Sequence, residues 1–158
     1  MKAFWTGIAI LGAFLLQSAL SWLLPSYARF LDPFLVVVVS CALAGGESHG
    51  MLAGAAAGWL QDAHFGGRVV GLSGLSKVLV AFLVGVAGAR FQLSEAGPRA
   101  LVLAVSTLLD ALVLSALAGL FDVTLNPFPF WGHLLRAVAN AALGLLVYRL
   151  LEHRWSRR

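Results

Sequence analysis

Four ionisable residues fall inside apolar stretches of the chain and could do chemistry there: Asp62, Lys77, Asp110 and Arg136. A charged side chain within a bilayer costs about 2.5 to 3.5 kcal/mol on insertion scales, so it requires a partner or water. Such groups can neutralise one another, recognise a partner protein, or form an ion or proton path. We interpret them as mutually neutralising, and we expect Asp62 to pair with Lys77, with Arg68 as the alternative partner.

The other polar residues indicate no reaction. Gln17, Gln61 and Asn140 also lie within apolar stretches, where carboxamides usually hydrogen-bond to neighbouring helices. The histidines are scattered at positions 49, 64, 133 and 153, and the sequence has no nucleophile set, phosphate-binding glycine loop or cysteine cluster. We therefore predict a protein that is not an enzyme, with no catalytic residue, metal or cofactor, and we interpret the single cysteine, Cys41, as a packing residue.

The composition indicates an all-α integral membrane protein. Hydrophobic residues make up 60% of the 158 residues and charged residues only 11%, far from the average of soluble proteins. This length allows about six spans and no soluble domain, so residues 1–158 are expected to form one transmembrane domain. The net charge of +4 would suggest nucleic-acid binding in a soluble protein, but here the basic residues lie at the ends of apolar segments and indicate orientation instead.

Six apolar segments predict a six-helix transmembrane bundle, at residues 4–24, 33–45, 50–63, 75–89, 100–120 and 132–151. The first is too long for a signal peptide, so we expect an uncleaved span. The second and third are short and glycine-rich, about 20 Å of helix against about 30 Å of hydrocarbon. They could be two thin spans or a re-entrant pair, and we favour two spans.

The basic residues are unevenly distributed between the two ends of these segments. Seven of them fall on the side of the termini: Lys2, Arg90, Arg99, Arg149, Arg154, Arg157 and Arg158. Four fall on or toward the other side: Arg29, Arg68, Lys77 and Arg136. Positive charge marks the cytoplasmic side, so we expect both termini in the cytoplasm and the aromatic connections 27–34 and 121–131 outside.

Glycines recur every fourth residue in the third segment and just before it: Gly46, Gly50, Gly54 and Gly58. On a helix they form one smooth row, and Asp62 is its next member. Such a row allows another helix backbone to approach closely. We expect the row to pack against a helix of a partner or of this chain.

The sequence around this row resembles the MreD family of rod shape-determining proteins. The resemblance rests on the run Gly58-Trp59-Leu60-Gln61-Asp62, followed by Gly66-Gly67, Gly71-Leu72, Leu75-Ser76-Lys77 and Gly85. It implies a protein of the bacterial inner membrane that helps to maintain cell shape and lateral peptidoglycan synthesis. The implied partner is the membrane helix of MreC, within a wider complex with MreB, RodA and a class B penicillin-binding transpeptidase.

A transporter subunit is the alternative interpretation. The substrate-binding S-components of vitamin transporters are similar in size and six-helix architecture, but a shared fold does not establish a shared activity. A ligand-binding protein needs an outward pocket with several converging polar groups, whereas a scaffold would fill that place with apolar and aromatic side chains. The outer connection rich in Phe and Pro favours the scaffold.

Overall fold

The computed structural model describes residues 2–65, 70–91, 95–124 and 129–155. Within these ranges the chain forms six long helices and one helix of a single turn, and no strand is present. The helices are α1 (Lys2–Leu23), α2 (Pro25–Ala28), α3 (Pro33–Gly45), α4 (Glu47–Phe65), α5 (Leu72–Arg90), α6 (Ala96–Leu120) and α7 (Phe130–Trp155). The described chain is therefore all-helical, as the composition predicts.

Five segments are long and apolar enough to cross a membrane: Ala3–Leu23, Pro25–Gly45, Leu72–Arg90, Ala96–Leu120 and Phe130–Arg149. The one-turn helix α2 and α3 together make up the second of these, which restores the length that α3 lacks by itself. Helix α4 is the remaining long helix. Its 19 residues would extend about 28 Å, close to the hydrocarbon thickness.

Proline and aspartate determine where α3 begins. Pro33 occupies the first turn, where its missing N–H leaves no hydrogen bond unmade. Asp32 precedes it as the N-cap, and its carboxylate accepts a hydrogen bond from the backbone N–H of Leu35 at 3.0 Å. This cap fixes the position of the Asp32 side chain at the start of a largely buried helix.

The connection between α3 and α4 is shorter than the sequence predicted. The expected polar turn over residues 45–50 is a single residue, Gly46, whose φ of +81° is readily adopted only by glycine. Helix α4 therefore begins at Glu47, three residues before the predicted start, with an acidic residue in its first turn, where the helix dipole favours it. Gly46 is exposed and lies outside α4, so its predicted place in the glycine row is wrong.

The other three glycines of the row pack α4 against this chain's own helices. A Cβ at Gly50 would lie 2.5 Å from the Cβ of Ala42 in α3, and one at Gly54 would lie 2.9 Å from the backbone carbonyl of Lys77 in α5. Gly58 is in similarly close contact with Gly74 of α5. Helices α3, α4 and α5 thus meet almost backbone to backbone, and we call these three helices the body.

Two further units flank the body. On one side, α1 contacts it through the Thr6 hydroxyl, 2.8 Å from His49 Nε2, and through Phe14, whose ring packs against His64 at 4.7 Å between centroids. On the other side, α6 and α7 pack on each other, where Gly144 lies beneath the side chain of Leu103. We call α6 and α7 the hairpin.

Candidate functional site

Four charged side chains meet where the hairpin joins the body, and we call them the charge cluster: Asp32, Lys77, Asp110 and Arg136. The ammonium of Lys77 lies 3.1 Å from Asp32 Oδ2 and 3.8 Å from Asp110 Oδ1. The guanidinium of Arg136 donates to the same Asp32 oxygen at 2.9 Å and lies 3.8 Å from Asp110 Oδ2. Each cation thus contacts both carboxylates.

Each member of the charge cluster comes from a different helix. Asp32 is held by its capping role at the start of α3, and Lys77 extends from an early turn of α5. Asp110 is contributed by α6 and Arg136 by α7. Four helix faces therefore have to be rotated correctly at the same time for the cluster to form.

Neutral side chains supply the remaining hydrogen bonds. The Ser76 hydroxyl donates to Asp110 Oδ1 at 2.7 Å, and Asn140 Oδ1 accepts from the backbone N–H of Asp32 at 2.8 Å. The carboxamide nitrogen of Asn140 donates to Thr107 Oγ1 at 3.3 Å. Because these groups are buried, each would be costly to leave without a partner.

Charge balance explains how this cluster can be buried. Two carboxylates face two cations, so the group is neutral in sum, and three of the four side chains are at most 2% exposed. Arg136 is 18% exposed, and its Nε is buried with no hydrogen-bond partner among the described residues. Removing any one member would leave an uncompensated buried charge, which is the costly case.

The structure brings together three of the four ionisable residues singled out in the sequence, together with Asn140, but it separates Asp62 from them. The predicted pairing of Asp62 with Lys77 is wrong. Lys77 pairs with the two carboxylates of the charge cluster, whereas Asp62 Oδ2 accepts hydrogen bonds from the backbone N–H groups of Gly71 and Ser73 at 2.8 and 2.9 Å. Asp62 therefore links the end of α4 to the start of α5. Arg68, the alternative partner, lies outside the described residues.

The two glutamines lie away from the charge cluster's hydrogen bonds. Gln17 donates from its Nε2 to the backbone carbonyl of Ala28 at 3.4 Å, which links α1 to α2. The carbonyl oxygens of Gln17 and Gln61 are buried and have no partner among the described residues. Among the described residues, Gln61 therefore makes no hydrogen bond to the charge cluster.

Sequence reasoning missed Asp32, the residue that both cations contact. The signal was present, because an aspartate directly before Pro33 and an apolar run is typical of a helix N-cap. That pattern locates a helix start but says nothing of which cations will reach the carboxylate. The position of Asp32 near a helix end, in an aromatic connection, made it look like an interfacial residue.

The arrangement favours a structural role over a reaction. Its polar groups are engaged with one another, and the Ser76 hydroxyl, which donates to Asp110, is fully buried. Among the described residues, no group of three or more His, Cys, Asp or Glu side chains could hold a metal ion. What the charge cluster can do is fix the relative positions of α3, α5, α6 and α7.

Comparisons with known proteins identify the family. No curated protein and no solved structure matches the chain. A family model described as rod shape-determining protein MreD matches residues 2–154, nearly the whole chain. With this match and with helices suited to crossing a membrane, the chain belongs to the MreD family of rod shape-determining proteins.

Proposed function

We propose that this chain is an inner-membrane scaffold of the bacterial cell-elongation machinery and that it holds the membrane helix of MreC. Membership of the MreD family gives it a role in cell shape within the shape-determining complex. The finer assignment makes MreC the direct partner. The wider complex contains RodA, a class B penicillin-binding transpeptidase and MreB. Within it, the chain supports lateral peptidoglycan synthesis. Both termini are assigned to the cytoplasm, and no catalytic step is assigned to the chain.

The internal engagement of the charge cluster is the observation that carries the scaffold assignment. A binding site for a small polar molecule needs polar groups that converge on an empty space. Here the carboxylates and cations bind one another at 2.9 to 3.8 Å, and Asn140 and Ser76 bond to the same group. This supports a rigid helical scaffold over the transporter S-component alternative.

The position of the glycine row directs attention to other surfaces for the partner. Gly50, Gly54 and Gly58 are already covered by α3 and α5, so they shape the body and do not face a second protein. A partner helix therefore has to pack on lipid-facing side chains. Each long helix other than α3 offers at least one strongly exposed apolar residue, including Leu11, Leu52, Phe82, Leu112 and Val138.

Site-specific photocross-linking in living cells tests this assignment. A photoreactive amino acid is placed singly at Leu11, Leu52, Phe82, Leu112 and Val138, in cells whose only copy of this protein is the labelled one. We expect rod shape to be maintained and MreC to be cross-linked from one helix face but not from the others. The faces without a cross-link serve as controls for random collision in the membrane.

Three outcomes would contradict the proposal in whole or in part. Cells that keep their rod shape and wall growth after depletion of this protein would exclude the cell-shape assignment. A second contradicting result is the absence of a cross-link to MreC from every labelled position, in rod-shaped cells that depend on this protein. That result would exclude the direct contact and leave the role in cell shape intact. A vitamin copurifying in equimolar amount would favour the S-component alternative.

A further inference from the structure

The helices of this protein meet in two physically different ways. Within the body, contact is made through backbone and small side chains, as where Gly54 lies against the backbone of Lys77. Between body and hairpin, the charge cluster and its neighbours make polar contacts. Four of them cross that boundary: Lys77 to Asp110, Arg136 to Asp32, Ser76 to Asp110, and Asn140 to the backbone of Asp32.

The charges are also divided evenly across that boundary. The body contributes one acid and one base, Asp32 and Lys77, which lie 3.1 Å apart. The hairpin contributes Asp110 and Arg136, which lie 3.8 Å apart. If the hairpin moved away from the body, each side would retain a neutral pair and would not expose a bare charge to lipid.

Lipid makes such a boundary dependent on its polar contacts. Because lipid tails are as apolar as leucine, there is no hydrophobic drive that holds one apolar helix face against another. The backbone contacts of the body gain dispersion energy at very short range, whereas the hairpin combines apolar contacts, such as that of Leu103 with the core, with hydrogen bonds and ion pairs. Breaking these contacts therefore affects the hairpin before the body.

We propose that the charge cluster is a latch that sets the position of the hairpin on the body, and that the hairpin shifts as a unit when its charge balance is broken. The body keeps its arrangement during this shift, because its glycine contacts do not involve the carboxylates. In the wild type the two neutral pairs make the shifted state accessible within the membrane, and in a variant without Asp110 the unpaired Arg136, which is 18% exposed, can extend toward water. This inference does not depend on which protein the scaffold binds.

Distances between spin labels in the full-length protein test the latch. Labels are attached to cysteines at the exposed positions Trp59 of α4, Leu112 of α6 and Val138 of α7, in a Cys41→Ser background. The pair at 59 and 112 reports body against hairpin, and the pair at 112 and 138 reports the hairpin alone. Pulsed electron–electron double resonance on the protein in nanodiscs gives the distribution of each distance.

Asp110→Asn is the informative variant, because it removes a charge with little change in shape and leaves Lys77 of the body and Arg136 of the hairpin as two cations on the single carboxylate of Asp32. We expect a second distance between positions 59 and 112, with the shifted population rising by about tenfold or more, since an unpaired buried charge shifts an equilibrium by at least that much. The distance between 112 and 138 should not change. Ser115→Ala is the matched control, because the Ser115 hydroxyl lies on α6 outside the charge cluster and bonds to Ala111 of its own helix.

Restoring neutrality should restore the position. The double variant Lys77→Gln with Asp110→Asn again has no net charge and retains the Arg136 to Asp32 contact, so its distances should return toward those of the wild type. Arg136→Gln, which leaves one excess negative charge, replaces Asp110→Asn if the latter does not accumulate, and it should also produce a second body-to-hairpin distance. Wild-type distances in the single variant, or a change in both label pairs together, would overturn the latch.

Discussion

Replacing Gly58 with alanine would add one methyl group where the structure has no room for it. Its Cβ would overlap the backbone of Gly74 and would approach the carbonyl carbon of Ser73 to 2.7 Å. These are backbone atoms of another helix, so α4 and α5 would have to separate. Overpacking of this kind costs about 1 to 3 kcal/mol. Alanine regains about 0.5 to 1 kcal/mol through its better helix propensity, so the net destabilisation lies between about 0 and 2.5 kcal/mol.

Gly12 provides a matched control on the same chemical change. It lies within α1, and a Cβ added there would meet nothing within 4 Å. Gly12→Ala should therefore be neutral or stabilising by about 0.5 to 1 kcal/mol, since it gains helix propensity without a steric cost. The free energies of unfolding of the two variants should differ by about 2 kcal/mol.

Unfolding of purified protein by sodium dodecyl sulfate in mixed micelles measures this difference, with tryptophan fluorescence as the signal. Trp59 lies next to the substituted residue and helps to report separation of α4 from α5. A Gly58→Ala variant as stable as Gly12→Ala would refute the conclusion that the glycine row mediates internal packing. In that case the row would be available to a partner helix.

Three further outcomes are expected. In a double-mutant cycle, Lys77→Gln and Asp110→Asn should each lower the free energy of unfolding by about 3 to 5 kcal/mol. The loss in the double variant should be clearly smaller than the sum of the two single losses. Additive losses would show that the two groups do not interact. Asp62→Ala should lower stability by about 1 to 3 kcal/mol and Asp62→Asn by less, because an amide oxygen in the place of Oδ2 can still accept both backbone hydrogen bonds, and equal losses would contradict this. Cysteines at Ser26 and Ser48 in a Cys41→Ser background should be labelled from outside and from the cytoplasm, respectively, and labelling from the same side would exclude α3 as a span.

The extent of the helices could largely be predicted from the sequence because long apolar runs leave few alternatives in a membrane. The α3 to α4 connection could not, since Gly45-Gly46-Glu47-Ser48-His49 has the composition of a loop. The structure needs only Gly46 to turn, because its positive φ redirects the chain at one residue. The other polar residues in that run form the first turn of α4.

The partners of the charged residues were harder to predict than their burial. Proximity in the sequence, across a glycine-rich turn, favours pairing of Lys77 with Asp62. In the structure, backbone N–H groups at the start of α5 satisfy Asp62, which leaves Lys77 to a carboxylate 45 residues away. Such pairings depend on the rotation of each helix about its axis, which one sequence with weak amphipathicity does not specify.

The composition of α4 has a consequence for how the protein enters the membrane. Helix α4 does not qualify as a span by length and hydropathy, because polar residues such as Gln61, Asp62 and His64, together with its glycines, lower its hydropathy. Its partition into lipid alone would be weak, and Asp62 would enter without the backbone donors of Gly71 and Ser73. Insertion of α4 is therefore expected to be cooperative with α5. In a translocon insertion assay, a reporter carrying α4 alone should fail to insert that helix into the membrane. A reporter carrying α3 to α5 should insert all three helices.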